Sequence, residues 1–368
     1  MNKNELKMLQ SLPLEIKEAK SLLRIEEYVR YLGEDKVYVS FSGGKDSTVL
    51  LHLVQRLYPN VQIVFSNTGL EFPELVDFVK FDTMLVNANV NNWNEISKKT
   101  QTSVETLQKI NKVNNIEDIS VEQNMRKIKY PRKNLTIVRP EKSFKQVIEE
   151  FGYPMISKKT ARMISDCQNP TPNNIKSRTL YLSDFVLDKD GNPTNKKNNN
   201  FKIAAKWRHV IDSPYKISHK CCDYLKKKPI KKFAKETGLR PIVGTMASES
   251  KMREDSYLAT GCNSFRQNNE SCSPIGFWTE QDVLKYIKKY KLNYASVYGD
   301  IIEDERGVFK TTGEKRTGCI FCGFGVHLEK GENRYQRLQK THPQLHNYCM
   351  NKLGFGEVCN YLNIKYEN

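Results

Sequence analysis

Apolar residues along this chain fall into short blocks whose spacing switches between two residues and about 3.6. Val37, Val39 and Phe41 alternate with Tyr38 and Ser40, the pattern of a buried strand, and after Ser47 the residues Val49, Leu50, Leu53 and Val54 recur at helical spacing. VQIVFS at Val61 to Ser66 predicts a second strand, Leu135 to Val138 a third and PIVG at Pro241 to Gly244 a fourth. Helical patterns lie between them, notably Phe144 to Phe151, and a long amphipathic helix from about Leu6 to Leu32 precedes the first strand. Near the other end, Thr279-Glu280-Gln281-Asp282 is a helix-capping signal followed by one apolar face of Val283, Leu284, Ile287 and Tyr290. Strands and helices in this alternation predict an α/β fold, a parallel sheet with helices on both faces. Ligands of such sheets gather at the carboxyl ends of the strands, where Ser42, Thr68 and Thr245 stand.

The turn after the first strand is Ser42-Gly43-Gly44-Lys45-Asp46-Ser47. Two glycines permit positive φ and close backbone approach, so successive N–H groups, aided by the positive end of the following helix, can face phosphate oxygens. The spacing is not that of the Walker loop, which requires Gly-x-x-x-x-Gly-Lys-Ser/Thr.

Charge changes the picture next. Lys and Arg total 59 against 42 Asp and Glu, a net +17. From Lys196 to Lys235 there are 13 basic and 2 acidic residues, a local +11 that would attract a phosphate-rich partner such as nucleic acid. The polar stretch DKDGNPTNKKNNN, Asp188 to Asn200, predicts a mobile insertion over about 186–202. No run of about 18 apolar residues is present and the start MNKNELKMLQSLP has no apolar signal-peptide core, so the expectation is a cytoplasmic protein with no membrane contact.

Nine cysteines in that setting point to metal or redox use. Cys221 and Cys222 are adjacent and precede a basic, proline-containing stretch; Cys319 and Cys322 form Cys-x-x-Cys, with 96 residues between the pairs. Four thiolates suit either tetrahedral zinc or an iron-sulfur cluster, and spacing alone does not separate them. Cys262 and Cys272 match no ligand spacing, Cys167, Cys349 and Cys359 read as ordinary helix residues, and His52 reads as a packed histidine.

The Ser42–Ser47 turn in its strand-turn-helix context resembles the pyrophosphate loop of the phosphoadenosine phosphosulfate (PAPS) reductase family, within the PP-loop ATP pyrophosphatase, or adenine nucleotide alpha hydrolase, superfamily. The resemblance runs in five blocks from about Lys36 to Gly325. It implies that Ser42, Gly43, Gly44 and Ser47 hold the pyrophosphate, that Lys45 neutralises it, and that Asp46 helps hold Mg2+, making Lys45 and Asp46 the catalytic pair. NTGLEFPE is similar to the family's second nucleotide-contacting segment, bringing Thr68 and Gly69 to the adenosine and Glu71 to a polar group. Gly244 to Arg253 resembles the block Gly-x-Arg-x-x-Glu-Ser-x-x-Arg and adds Glu249 and Arg253, with Met246 standing where many members carry arginine. Pro274-Ile275, Trp278-Thr279 and Asp282-Val283 are similar to the segment before the second cysteine pair. The cysteine pairs themselves resemble the 4Fe-4S ligand pattern of the assimilatory APS reductases and of the DNA phosphorothioation ATPases, which favours Cys221, Cys222, Cys319 and Cys322 as ligands of a 4Fe-4S cluster over zinc.

The implied domains are an N-terminal helical segment (1–32), a nucleotide-binding α/β domain (33–260) and a C-terminal helical unit (261–368) that completes the cysteine cluster. The implied chemistry is attack of a substrate oxygen on the α-phosphate of ATP, release of pyrophosphate, and sulfur transfer to the activated substrate, a nucleic acid such as DNA or tRNA. A cysteine desulfurase or a thioredoxin-type reductant is the expected protein partner. Two other readings stand beside it: an APS or PAPS reductase forming sulfite, and a catalytically degenerate nucleic-acid-binding module. The reductases carry a C-terminal Glu-Cys-Gly-His-type segment that is absent here, and Cys359 is the only thiol that could replace its cysteine.

Overall fold

The computed structural model describes residues 1–87, 93–113, 119–120 and 125–368. The chain groups into two units. Unit one comprises Met1–Asn67, Glu71–Val138 and Lys232–Thr317; unit two comprises Thr68–Leu70, Arg139–Lys231 and Gly318–Asn368. Residues 33 and 261, where the sequence pattern changes, both fall inside unit one.

Unit one is built on a six-stranded sheet. Its strands are β1 (Val37–Ser40), β2 (Gln62–Ser66), β3 (Leu135–Val138), β4 (Arg240–Val243), β5 (Asn263–Ser264) and β6 (Ser271–Cys272), in the spatial order β5-β6-β4-β1-β2-β3. Every neighbouring pair is parallel except β5 with β6. The alternation expected for β1 is not what forms: Tyr38 is as buried as Val37 and Val39. A central parallel strand is covered on both sides, so neither face needs polar residues. Helices flank the sheet, and Val49, Leu50, Leu53 and Val54 of helix Lys45–Leu57 are fully buried as their spacing predicts.

The amphipathic stretch at the start forms two helices, Lys3–Ser11 and Leu14–Leu32, rather than one. Leu12 is extended at ψ 148° because the ring of Pro13 disfavours helical geometry in the residue before it. Lys17 and Ser21 of the second helix bond Asp282 and Pro274, while the Trp278 indole donates to Ser21 Oγ at 3.0 Å, which ties Leu14–Leu32 to the start of helix Glu280–Tyr290. A smaller antiparallel sheet of Phe81–Asn87, Ile119–Ser120 and Met125–Pro131 has its own core of Ile96, Leu107 and Ile128.

Unit two is mostly helical. Its helix Phe144–Phe151 starts where expected, with a capping box from Ser143 and Gln146. Met155–Ile156 pairs in parallel with Gly323–Phe324. The stretch expected as a mobile insertion contains a hairpin of Phe185–Leu187 with Pro193–Lys197. Asp188 Oδ1 closes its turn by accepting the amides of Asp190 and Asn192, a local device that needs no apolar side chain. Among the described residues no helix is long and apolar enough to cross a membrane.

Candidate functional site

Strand β1 ends at Ser40 and helix Lys45–Leu57 begins five residues later, with Gly44 as its N-cap. Gly43 turns the chain at φ +74°, and a Cβ there would stand 2.6 Å from Val79 Cγ2 and 2.9 Å from Leu75 Cγ. Glycine is therefore required for both conformation and space. Inside the turn the hydroxyls bond one another and the backbone: Ser42 Oγ lies 3.1 Å from Ser47 Oγ, and Ser47 and Thr48 each donate to the Gly44 carbonyl at 2.9 Å. Gly244, after β4, lets its strand end close to the loop, since a Cβ there would come within 3.2 Å of the Asp46 carbonyl oxygen.

Lys45 is buried, and its ammonium meets Glu280 Oε1 at 3.0 Å and lies 5.0 Å from the centre of the Tyr298 ring. Tyr298 is itself buried; its hydroxyl accepts the Lys45 amide and pairs with Thr317 Oγ1 at 2.5 Å. Burial pushes the Asp46 carboxyl above the usual carboxylate range, against the pull of Lys45, Arg253 and Arg316 and with a further rise from Glu280. Burial lowers the Arg253 guanidinium, which Asp46 partly restores and Arg316 opposes. Three cations and two carboxylates thus converge on the loop.

Glu249 accepts the Met246 amide at 2.9 Å and pairs with Arg253, so the two expected residues of that block are joined to each other. Met246 is buried beside a cavity of about 350 Å³ that Thr245, Arg253, Tyr257 and Ser273 also line. Glu71 lies in unit one. Thr68 and Gly69 fall in unit two, where Thr68 is buried with its Oγ1 accepting the Leu70 amide and Gly69 takes φ +76°.

All four expected cysteines also belong to unit two, and they line one small cavity with Leu70, Phe144, Pro154, Leu225 and Lys226. The Cys221 thiol donates to the Cys222 sulfur at 4.0 Å. That bond lowers the Cys222 thiol, with help from Lys158 and Lys226 and against burial, and correspondingly raises Cys221. Burial raises Cys322, while the Phe324 amide bonds its sulfur. Cys221 and Cys222 open a helix that passes through a π turn, Asp223–Lys227, before Pro229, whose missing N–H and bulky ring disfavour regular bonding one turn earlier. Gly323 sits against Met155, where a Cβ would come within 2.1 Å of Sδ. Among the described residues no three His, Cys, Asp or Glu side chains stand at metal-ligating separations.

The loop, the Glu249–Arg253 block and the Cys-x-x-Cys segment all lie within 36–130 and 175–322, the two segments that match the phosphoadenosine phosphosulfate reductase domain and together make up well over half the chain. The chain belongs to the PAPS reductase family. A phosphoadenosine 5'-phosphosulfate reductase of Vibrio vulnificus is 32% identical over 89 residues, 22% of this chain and 34% of that protein. An uncharacterized protein of Methanocaldococcus jannaschii is 42% identical over 66 residues, 17% of this chain and 16% of its own. The matches thus span about a third or less of these relatives. The crystal structure of a PAPS reductase from Candida auris in a phosphate complex aligns over 84% of this chain and 98% of that one, at 12% identity and a TM-score of 0.35. Superposition at that level says nothing about the site.

Within this family member, reading the sequence did not single out Glu280, Tyr298, Arg316 or Thr317 around the loop. Glu280 stood in view only as part of a capping signal. Other thiols stay outside: Cys359 is fully buried and burial pushes it up to about 12, and Cys272 and Cys349 are buried with thiols raised well above the usual range. His52 packs against Tyr286 and Tyr290, with Nδ1 2.9 Å from the Tyr286 hydroxyl, as a core histidine would.

Proposed function

We propose that this PAPS reductase family member binds ATP at the Ser42–Ser47 loop and adenylates an acceptor that then receives sulfur. An acceptor oxygen attacks the α-phosphorus; the bond from that phosphorus to the bridging oxygen breaks, and pyrophosphate leaves with the electron pair. A sulfide-level sulfur nucleophile then forms its bond to the activated atom while AMP departs. No protein nucleophile is needed, so the chain's task is to place phosphates and neutralise charge. Lys45, Arg253 and Arg316 supply that charge, and the loop amides supply fixed donors.

The carrying observation is the buried Lys45 held at the start of a helix that leaves a glycine turn. Asp46, a carboxylate beside the loop, fits the modest demand of a magnesium ion, which takes one or two carboxylates together with substrate phosphates. Magnesium held there would offset charge growing on the departing pyrophosphate. The four thiols do not stand at ligating separations, but their convergence on one cavity and the chemistry of four thiolates support a thiophilic centre of the 4Fe-4S class. Such a centre would supply electron or sulfur transfer, or brace unit two.

The +11 segment from Lys196 to Lys235 supports a nucleic acid, DNA or tRNA, as the acceptor. The donor in this reading is a cysteine desulfurase persulfide whose S–S bond a thioredoxin-type dithiol reduces, releasing the outer sulfur at the sulfide level while the dithiol is oxidised to a disulfide. The test is pyrophosphate release from ATP with and without nucleic acid. Release should require Mg2+ and should fall at least about a hundred-fold in Asp46→Asn, the scale of one lost charge-stabilising contact; release that persists in both cases overturns the proposal.

The names of the Vibrio relatives favour a second reading, reduction of APS or PAPS to sulfite with two electrons from a dithiol. Cys359 weighs against it as the attacking group, because a buried thiol raised to about 12 holds almost no thiolate at neutral pH. Sulfite formed from adenylyl sulfate and a thioredoxin-type reductant would select this reading.

A further inference from the structure

Lys45 is the cation of the loop, and two groups from the segment 280–317 hold it. Its ammonium lies 3.0 Å from Glu280 Oε1 and 5.0 Å from the centre of the Tyr298 ring. The Tyr298 hydroxyl accepts the Lys45 amide and pairs with Thr317. These holders differ in kind. Tyr298 is 2% exposed, and burial keeps its phenol neutral by raising it to about 12, so its contacts are permanent parts of the packing. The Glu280 side chain is 60% exposed against 5% for Lys45, so its carboxylate can return to water without moving anything else. As the first residue of helix Glu280–Tyr290 it also keeps the support of the positive helix end when it lets go of the lysine.

We infer that Glu280 is a positioning residue that acts as a placeholder for a nucleotide phosphate: it keeps the Lys45 ammonium at the loop before nucleotide arrives, and a phosphate oxygen displaces it. This rests on the nucleotide reading of the loop and adds a regulator to it. A carboxylate 3.0 Å from the ammonium competes with every anion that seeks Lys45, so it sets a threshold of charge that an incoming group must exceed. Di- and triphosphates, with several negative charges near the loop, overcome it more readily than a singly charged anion does. Asp46 faces the same cations and is the other carboxylate in reach, but it follows Lys45 directly in the chain and is not free to swing out as Glu280 is.

The test is calorimetric titration of the full chain with inorganic pyrophosphate, with and without Mg2+. In Glu280→Gln the amide oxygen still accepts from Lys45 while the competing charge is gone, and pyrophosphate should bind about two- to five-fold tighter, the worth of one partly exposed ion pair. In a Lys45→Met background the same substitution should change binding by less than about the uncertainty of independent sites, a factor of two. Unchanged binding in Glu280→Gln overturns the placeholder. Weaker binding only with Mg2+ also overturns it and makes Glu280 a ligand of the bound ion. Pyrophosphate binding in the unsubstituted chain that ignores Lys45→Met overturns the nucleotide reading itself, a result distinct from the other two.

Discussion

Gly43 carries the most demanding geometry of the loop at the scale of single residues. Its φ of +74° costs a side-chain-bearing residue roughly 1–2 kcal/mol, and a methyl group would overlap Val79 and Leu75 as well. Gly43→Ala should lower stability by about 2–4 kcal/mol in denaturant unfolding. Because the loop amides would shift with the backbone, it should also weaken nucleotide binding by ten-fold or more. Lys45 and Asp46 were singled out in the sequence because their Gly-Gly-Lys-Asp turn between a strand and a helix resembles the family's pyrophosphate loop, and Lys45 is buried at the start of that helix. Glu280 and Arg316 were not, since each stands more than 230 residues from the loop and nothing local marks it as a partner. The Met246 departure acquires a physical reading too: the side chain is packed, so the cations beside Asp46 are Lys45, Arg253 and Arg316.

At the scale of elements, one carboxylate joins two helices. Asp282 Oδ2 accepts the Thr279 amide at 2.7 Å, capping helix Glu280–Tyr290, and takes the Lys17 ammonium from helix Leu14–Leu32 at 2.7 Å. Lys17 is 2% exposed, so removing its partner leaves a charge out of water. Asp282→Ala should therefore cost about 3–5 kcal/mol in chemical denaturation, more than loss of a cap alone. Replacing Lys17 by Met in the same chain should recover most of that loss. The capping signal was readable, because caps are local; its second use was not, because it depends on a lysine 265 residues away. Pro13 and Pro229 show the same division. Pro229 lies in a stretch the sequence marked only as proline-containing, and the folded chain shows that it follows a π turn; Pro13 divides two helices where the apolar pattern alone was read as one.

At the scale of the whole molecule, unit two collects cysteines from two distant segments, and their shared cavity is the basis of the metal proposal. Protein isolated without oxygen should contain iron and acid-labile sulfide in equal amounts, and Cys222→Ala and Cys319→Ala should each lose most of both; zinc without sulfide would mark a tetrahedral site instead. Period, turn chemistry and cysteine spacing are local or nearly local properties, so they were enough to indicate a parallel α/β sheet, the loop at the end of β1 and two cysteine pairs. Which strands are neighbours, that Tyr38 faces a core, that Thr68 and Gly69 group with the cysteines, and that Glu280 grips Lys45 depend on contacts across hundreds of residues. Such contacts arise only when apolar surface is buried and each buried charge must find a partner, and a linear pattern records the need for partners without recording who they are.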